Sequence, residues 1–256
     1  MENGDPVDTA FYNSLSAAFP VGEAFFIDSV RHYRNLLPPL LQGQVDAFIK
    51  QEAVHSREHA HLNKQVRETG YDLSKIDAEG EKFKVEMKKQ PPEVNLAITV
   101  ATEHLTAIFA HTALRYDRHF KCDTVELTRL WQWHAIEEIE HKAVAYDTFL
   151  AVTRDLSPFQ RWKFRCLIML LVSWDFVRER LRFMGYFFEQ DGIRKPTVWF
   201  RTWYYLLVYP GIFRQMFPAW LSFFRPGFHP WLHDDRELIV KTEAKLELRV
   251  VGQSAD

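Results

Sequence analysis

Two short patterns of glutamate and histidine stand out in this sequence as groups that could do chemistry. Each is a Glu-x-x-His pair, Glu52 with His55 and Glu138 with His141. On a helix this spacing places the carboxylate and the imidazole one turn apart on the same face, so both can reach one metal ion. A single pair of this kind is expected by chance about once in such a chain. The pairs are therefore informative only together with further carboxylates.

Two further glutamates, Glu23 and Glu103, each stand alone in an otherwise apolar helical stripe. A glutamate buried there without a partner would cost several kcal/mol, and metal ligation removes that cost. One Glu from each of two helices plus Glu-x-x-His from each of two others is the ligand set of a dinuclear carboxylate centre. We therefore expect the four glutamates to form the catalytic centre and, with the two histidines, to bind two metal ions: Glu23, Glu52, His55, Glu103, Glu138 and His141.

Neighbouring residues leave several assignments open. His59 and His134 lie one turn from the predicted ligands. Each is expected to be an extra ligand, a hydrogen-bond donor that orients a ligand carboxylate, or a core histidine with ordinary hydrogen-bond partners. Glu137 rivals Glu138, because it faces His141 at i,i+4. Asp147 is placed to hydrogen-bond a ligand imidazole, and the alternative is an ordinary surface aspartate.

Four helices must position these groups. Proline, glycine and capping residues mark their ends, with Asp123 or Thr124 placed to cap the fourth. About two dozen polar residues between the second and third helices match the long crossover connection of ferritin-like bundles. The sequence thus predicts an all-α chain whose residues 1–155 form a ferritin-like di-metal four-helix bundle, with helices at Pro20–Asn35, Leu40–Thr69, Val94–Tyr116 and Asp123–Thr153.

Residues 156–256 are predicted to form an aromatic, basic helical extension that begins with a long helix over residues 158–190. Residues 159–231 hold eleven Lys and Arg against four Asp and Glu, and 22 of the 38 aromatic residues. The longest apolar run there is nine residues, whereas a membrane span needs about 20. The composition suits attachment to a membrane surface, packing over the bundle or a homo-oligomer contact, and nucleic acid is not an expected partner. His229 and His233 flank Pro230, which argues against a regular helical metal-binding pair.

The overall composition is that of a globular protein. The chain has 256 residues, of which 47% are hydrophobic and 26% charged, and its net charge is -2. Its two cysteines, Cys122 and Cys166, have no CxxC spacing, so neither a disulfide framework nor a thiolate zinc site is indicated. The acidic start MENGDPVD does not resemble a secretory signal. A cytoplasmic protein is expected, with peripheral attachment to the inner face of the membrane as an extension of that hypothesis.

The segments FPVGEAFF, QEAVHSREH, ATEHLTA, HAIEEIEHKAVAYD and FRPGFHPW resemble a bacterial family of predicted metal-dependent hydrolases, over about residues 15–235. The resemblance implies a ferritin-like metal-binding fold and hydrolysis by a metal-activated water. The ligand pattern alone resembles that of di-iron oxygenases, desaturases and ferritins.

From that pattern we expect a di-iron enzyme, with manganese or zinc as alternative metals. It would use dioxygen and an unidentified electron donor to oxidise a hydrophobic, lipid-like substrate. The first alternative is the metal-dependent hydrolase that the resemblance implies. The second is a membrane-associated bundle that binds metal without being an enzyme.

Overall fold

A computed structural model describes residues 4–116, 118–120, 122 and 124–253, with side chains as far as residue 246. In that part of the chain all regular structure is helical, which confirms the all-α prediction. The α-helices are α1 Pro6–Arg31, α2 Pro39–Glu68, α3 Ser74–Met87, α4 Pro92–Arg115, α5 Val125–Glu140, α6 Val144–Val152, α7 Pro158–Gln190, α8 Thr197–Leu207, α9 Ile212–Ser222 and α10 Arg236–Gln253.

The ends of α2, α4 and α7 lie within two residues of their predicted positions. Each begins with a proline, whose fixed φ suits the first turn and whose missing N–H has no helical partner to lose there. Gly70 follows α2 with φ +103°, a conformation open to glycine. Ser157 and Gln160 form a capping box at the start of α7.

The predicted start of the first helix at Pro20 is wrong, because α1 begins at Pro6, where the Asp5 side chain accepts a hydrogen bond from the N–H of Val7. Pro20 lies inside the helix and leaves the Ser16 carbonyl without its usual i+4 partner. The Asn63 side chain of α2 donates to that carbonyl instead, with an Nδ2···O distance of 2.9 Å. A contact between helices therefore makes the internal proline tolerable.

Three further boundaries differ from prediction. The first helix ends at Arg31 and not at Asn35, and a separate 3-10 turn follows at Arg34–Leu36. The polar connection between α2 and α4 contains a helix, α3, which packs on α1 through close contact of Gly80 with Val21. The predicted fourth helix is divided into α5 and α6 by a turn that includes Lys142, whose Nζ donates to the His233 carbonyl and to Asp235. Thr124 caps α5 by accepting from the N–H of Leu127, and Asp123 lies outside the described residues.

The packing of the helices places the predicted ligands in the interior. Helix α1 packs on α2 and α4, and α4 packs on α5. Helix α7 lies against α1 and α4, α9 lies against α4 and α8, and α10 lies against α4 and α5. The division of the chain near residue 155 into two domains stays a prediction. Within the described residues, every helix falls short of the length or the apolar character that crossing a bilayer demands.

Candidate metal centre

Six side chains from four helices and one turn converge in the space between α1, α2, α4 and α5. Glu23 comes from α1, Glu52 and His55 from α2, Glu103 from α4, Glu138 from α5, and His141 from the turn that follows α5. All six residues are buried, and none exposes more than 6% of its surface. These are the residues that the spacing in the sequence singled out.

The two Glu-x-x-His pairs lie face to face. The Nε2 atom of His141 is 3.2 Å from an oxygen of Glu52, and its Nδ1 atom is 3.2 Å from an oxygen of Glu103. The Nδ1 atom of His55 is 3.5 Å from Glu138 and 3.9 Å from Glu52. One atom from each member of the two pairs lies within 4.8 Å of the corresponding atoms of the other three. This spacing would allow one cation to contact all four side chains.

A second group adjoins the first. One ligand atom from each of Glu23, His59 and His134 lies within 4.8 Å of the other two. The Nε2 atom of His134 is 2.8 Å from Glu138 Oε1 and 4.0 Å from Glu23 Oε1, so His134 connects the two groups. Both histidines that continue the stripes in the sequence therefore reach the cluster.

The cluster contains buried polar atoms that the protein itself does not satisfy. Buried polar atoms in native proteins nearly always have a hydrogen-bond partner, so each exception calls for an explanation. Within the described residues, every buried carboxylate oxygen or imidazole nitrogen without a hydrogen-bond partner belongs to the six predicted ligands. These atoms are both carboxylate oxygens of Glu23 and of Glu52, Glu103 Oε1, Glu138 Oε2, His55 Nδ1 and His141 Nε2. Their chemistry fits a metal centre, because all are ligand types for divalent cations.

Burial and mutual repulsion shape the ionisation of the four carboxylates. Burial, followed by the charge of Glu138, raises the pKa of Glu23 and of Glu52 well above the usual range. Burial also raises the pKa of Glu103 to about 7. Burial opposes ionisation of Glu138, but the hydrogen bond from His134 and the nearby histidines lower its pKa overall. Without a cation, burial and mutual repulsion therefore favour the protonated forms of Glu23, Glu52 and Glu103.

Glu137 and Glu138, which spacing alone did not separate, have different positions. Glu138 lies inside the cluster, whereas Glu137 accepts a hydrogen bond from His55 Nε2 at 2.9 Å and another from Trp133 Nε1. This contact directs the other ring nitrogen of His55 toward the cluster. The structure does not bring Asp147 to the cluster, because its Oδ1 atom contacts Nε2 of His229 at 2.9 Å.

Ser16 and Asn63 also reach the second group, although the sequence analysis did not identify them. Ser16 Oγ lies 3.0 Å from His59 Nδ1 and donates to Asn63 Oδ1 at 2.9 Å. A signal for Asn63 exists, since it lies four residues after His59 and eight after His55 on the same face of α2. Ser16 has a similar signal, because it lies seven residues, or about two turns, before Glu23 on α1.

A small apolar cavity adjoins the cluster. Its volume is about 30 Å³, space for one or two water molecules. Side chains from α1, α4, α5 and α7 line it, among them Phe19, Phe109 and Trp131. Glu138 and His134 form its polar wall. The cavity therefore joins an apolar space to the proposed ligands.

The fold and the cluster define a class of protein, an all-helical one with a buried carboxylate and imidazole site that could hold metal ions. A family model described as "Predicted metal-dependent hydrolase" matches residues 2–234, and the chain belongs to this family. The resemblance found in the local sequence segments is thereby confirmed. No curated protein matches the chain, and no solved structure matches it.

Proposed function

We propose that the chain is a metal-dependent hydrolase whose cluster holds two metal ions. The observation that carries the proposal is the set of unpartnered, buried carboxylate oxygens and imidazole nitrogens confined to Glu23, Glu52, His55, Glu103, Glu138 and His141. Membership of a family described as predicted metal-dependent hydrolases supports the same reaction class. The dioxygen-dependent oxidation expected from the ligand pattern has no support beyond that pattern.

Each of the six side chains has a role in this proposal. Glu52 and Glu138 each lie within 4.0 Å of both His55 and His141. These four residues would hold the metal ions together with Glu23 and Glu103. Glu137 fixes the orientation of His55. When bound, a metal pair supplies Lewis acidity and lowers the pKa of water. The apolar walls of the adjoining cavity limit access of bulk water to the site.

The proposal includes kinship with ferritin-like bundles. In di-metal proteins of that architecture, two helices each contribute a Glu and two others each contribute Glu-x-x-His. Here α1 and α4 carry the single glutamates, and α2 and α5 carry the pairs, with the second histidine just beyond the end of α5. The carboxylate-rich set favours iron or manganese over zinc.

The cavity suggests the substrate class. Its lining is mostly apolar, with Thr106, His134 and Glu138 as the polar members, so an apolar chain would lie against aromatic side chains while its polar end meets the cluster. We propose an ester or amide with a hydrophobic acyl or alkyl part. A cavity of about 30 Å³ must widen to admit such a chain.

The test compares metals and oxygen. Metal-free protein is reloaded anaerobically with Fe²⁺, Mn²⁺ or Zn²⁺ and assayed on p-nitrophenyl esters of increasing acyl length, with and without dioxygen. We expect metal-dependent hydrolysis that is independent of dioxygen and rises with chain length. Glu52→Gln should abolish it, whereas the matched control Glu58→Gln, on the outer side of α2, should not. Absence of turnover with every metal, or oxidised products that require dioxygen, would overturn the hydrolase proposal.

A membrane surface is proposed as a partner, because neighbouring helices expose apolar side chains. Leu170 and Trp174 of α7 are 50% and 72% exposed, Phe200 and Trp203 of α8 are 78% and 41% exposed, and Phe217 of α9 is 55% exposed. Apolar areas of this kind, accompanied by basic residues, suit attachment to anionic lipid. The exposed basic residues on these helices and their connections include Lys163, Arg194, Lys195, Arg201 and Arg214.

Sedimentation with vesicles tests this surface. The protein should sediment with vesicles that contain phosphatidylglycerol and much less with pure phosphatidylcholine, and Trp174→Ser combined with Phe200→Ser should weaken the binding. Leu40→Ser is the matched control, since Leu40 is 80% exposed but lies on α2. Equal recovery in the supernatant with both lipids, or equal loss of binding in the control, would contradict the proposal.

A further inference from the structure

A chain of buried hydrogen bonds leads from α2 through α1 to the cluster. It begins at Asn63, passes through Ser16 and His59, and reaches His134, which contacts Glu138. The Nε2 atom of His59 is 2.6 Å from Nδ1 of His134. Every member of the chain is buried, so each hydrogen bond must be made within the protein. The direction of each bond can therefore be worked out in turn.

Pro20 fixes the first direction. Because proline has no N–H, the Ser16 carbonyl lacks a donor within α1, and the amide of Asn63 is the group that donates to it at 2.9 Å. The amide nitrogen of Asn63 therefore faces the carbonyl, and the amide oxygen faces the Ser16 hydroxyl. Ser16 Oγ must donate its single hydrogen to that oxygen, at 2.9 Å.

The remaining directions follow from the hydroxyl. Since Ser16 has no second hydrogen, its oxygen accepts the bond from His59, and His59 carries a proton on Nδ1. Among the described residues, no carboxylate accepts a hydrogen bond from His59, so the imidazole is neutral and its Nε2 is an acceptor. His134 must then donate through Nδ1 across the 2.6 Å contact. The other nitrogen of His134, Nε2, faces the cluster.

Nε2 of His134 lies near two carboxylates. Nε2 of His134 lies 2.8 Å from Glu138 Oε1 and 4.0 Å from Glu23 Oε1. In metal-free protein a proton on Nε2 can make the hydrogen bond to Glu138, and a metal ion in place of that proton would contact the same nitrogen and the same two carboxylate oxygens. Atoms bound about 2.1 Å from one ion lie about 3 to 4 Å apart. Both distances fit ligation of one ion.

We propose that His134 Nε2 is a seventh ligand of the dinuclear centre, at the end formed by Glu23 and Glu138, and that His59, Ser16 and Asn63 position it without binding metal. The inference rests on the proposed function. Within 4.0 Å of a Glu23 oxygen, the described residues place one imidazole nitrogen, that of His134. Neither histidine of the Glu-x-x-His pairs comes that close. His134 thus gives the Glu23 end the nitrogen ligand that it otherwise lacks.

Metal content and affinity separate a ligand from a positioning residue. Wild type, His134→Ala, His59→Ala and the control His119→Asn are loaded with Co²⁺, desalted and measured by elemental analysis and the cobalt absorption spectrum. His119 is a suitable control, because it is equally buried but bonds to Gln215. We expect two ions per chain in wild type and control, and one in His134→Ala. His59→Ala should keep two, with affinity about 10- to 100-fold lower.

The outcomes distinguish the two proposals. Wild type without bound metal would refute the metal centre and, with it, the seventh ligand. Wild type with two ions and His134→Ala with two ions at unchanged affinity would refute the seventh ligand alone. Loss of one ion in His59→Ala but not in His134→Ala would reverse the assignment and equally overturn it. Thermal melting in chelator checks that each variant folds, and His134→Gln replaces a variant that does not.

A second measurement is independent of variants and of metal. Two-dimensional ¹⁵N–¹H spectra report which imidazole nitrogen carries the proton. In metal-free protein the His59 ring should show the Nδ1–H tautomer, identified by loss of its signals in His59→Gln. The Nε2–H tautomer would reverse every bond in the chain and overturn the proposal.

Discussion

Replacing Glu52 with methionine should make the metal-free protein more stable. Glu52 is 0% exposed, and neither of its carboxylate oxygens accepts a hydrogen bond, since the 3.2 Å contact with His141 Nε2 lacks hydrogen-bond geometry. Burial raises the pKa of this carboxyl well above its usual range, which favours its neutral form. An unsatisfied buried polar group of this kind costs about 1–3 kcal/mol. Methionine has similar length and no group to satisfy, so Glu52→Met should recover that amount.

Thermal unfolding with and without metal tests the reasoning. In a domain of this size 1 kcal/mol corresponds to about 2–4 °C in Tm, so Glu52→Met should melt about 2–12 °C above wild type in chelator. With free metal at 1,000 times Kd, wild type gains about 4 kcal/mol per site, and the order should reverse because the variant has lost a ligand.

Glu58→Met is the control for this experiment. Glu58 lies on the same helix with an intermediate exposure, so its replacement should change stability by no more than about 0.5 kcal/mol. A lower Tm for Glu52→Met in chelator would refute the reasoning. It would show that the carboxyl stabilises the fold and is not an unsatisfied group.

Three further predictions concern contacts around the cluster. Asp235→Leu should lower the free energy of unfolding in urea by about 3–5 kcal/mol, because it leaves the Lys142 ammonium, 4% exposed, without its carboxylate partner. Adding Lys142→Met should restore most of the lost stability. An unchanged urea midpoint in the single variant would contradict this prediction. Burial alone would raise the pKa of Asp235, but hydrogen bonds from His111 and Lys142 lower it overall. The contribution of Asp235 should therefore be complete above about pH 4 and fade as pH falls through the lowered pKa, measured as the difference in unfolding free energy between wild type and Asp235→Leu. Glu137→Gln should keep two metal ions but weaken binding about 10- to 100-fold in chelator competition, because His55 loses its orienting carboxylate; an unchanged Kd would be the contrary result.

Local chemistry in the sequence predicts α2, α4 and α7 closely because their ends depend on local rules. Pro39, Pro92 and Pro158 each stand in the first turn, where a missing N–H costs nothing, and Gly70 follows α2 with a positive φ. Each rule involves residues within a few positions of one another. Periodicity then places Glu52 and His55 on one face, and the structure brings them together as predicted.

The boundaries that sequence reasoning missed depend on contacts between distant residues. Pro20 reads as a helix start, yet it lies inside α1 because Asn63 donates to the carbonyl that the proline leaves without a partner. The division between α5 and α6 accompanies the burial of Lys142 and its bonds to His233 and Asp235. No local pattern contains this information, since each contact joins segments separated by dozens of residues.

Spacing alone could not separate ligands from their neighbours. Glu137 and Glu138 differ by 100° around a helix, and an ideal helix wheel allows either to approach His141. His59 and His134 both continue the stripes, and their roles depend on hydrogen-bond directions that begin at Pro20. The sequence therefore predicts which residue types meet, whereas their division into ligands and orienting groups requires the structure.

Two buried charges elsewhere in the described part of the chain bond to groups of the protein itself. The Lys142 ammonium meets Asp235 and the His233 carbonyl, and the Arg165 guanidinium donates to the carbonyls of Phe223 and Arg225. The cluster differs, because its carboxylates are adjacent to one another and keep oxygens without partners. A core selected for stability alone would replace such groups with apolar side chains at little cost. The proposed metal centre accounts for their presence in the interior. On that proposal, loss of one carboxylate should stabilise the metal-free protein and weaken the metal-loaded one.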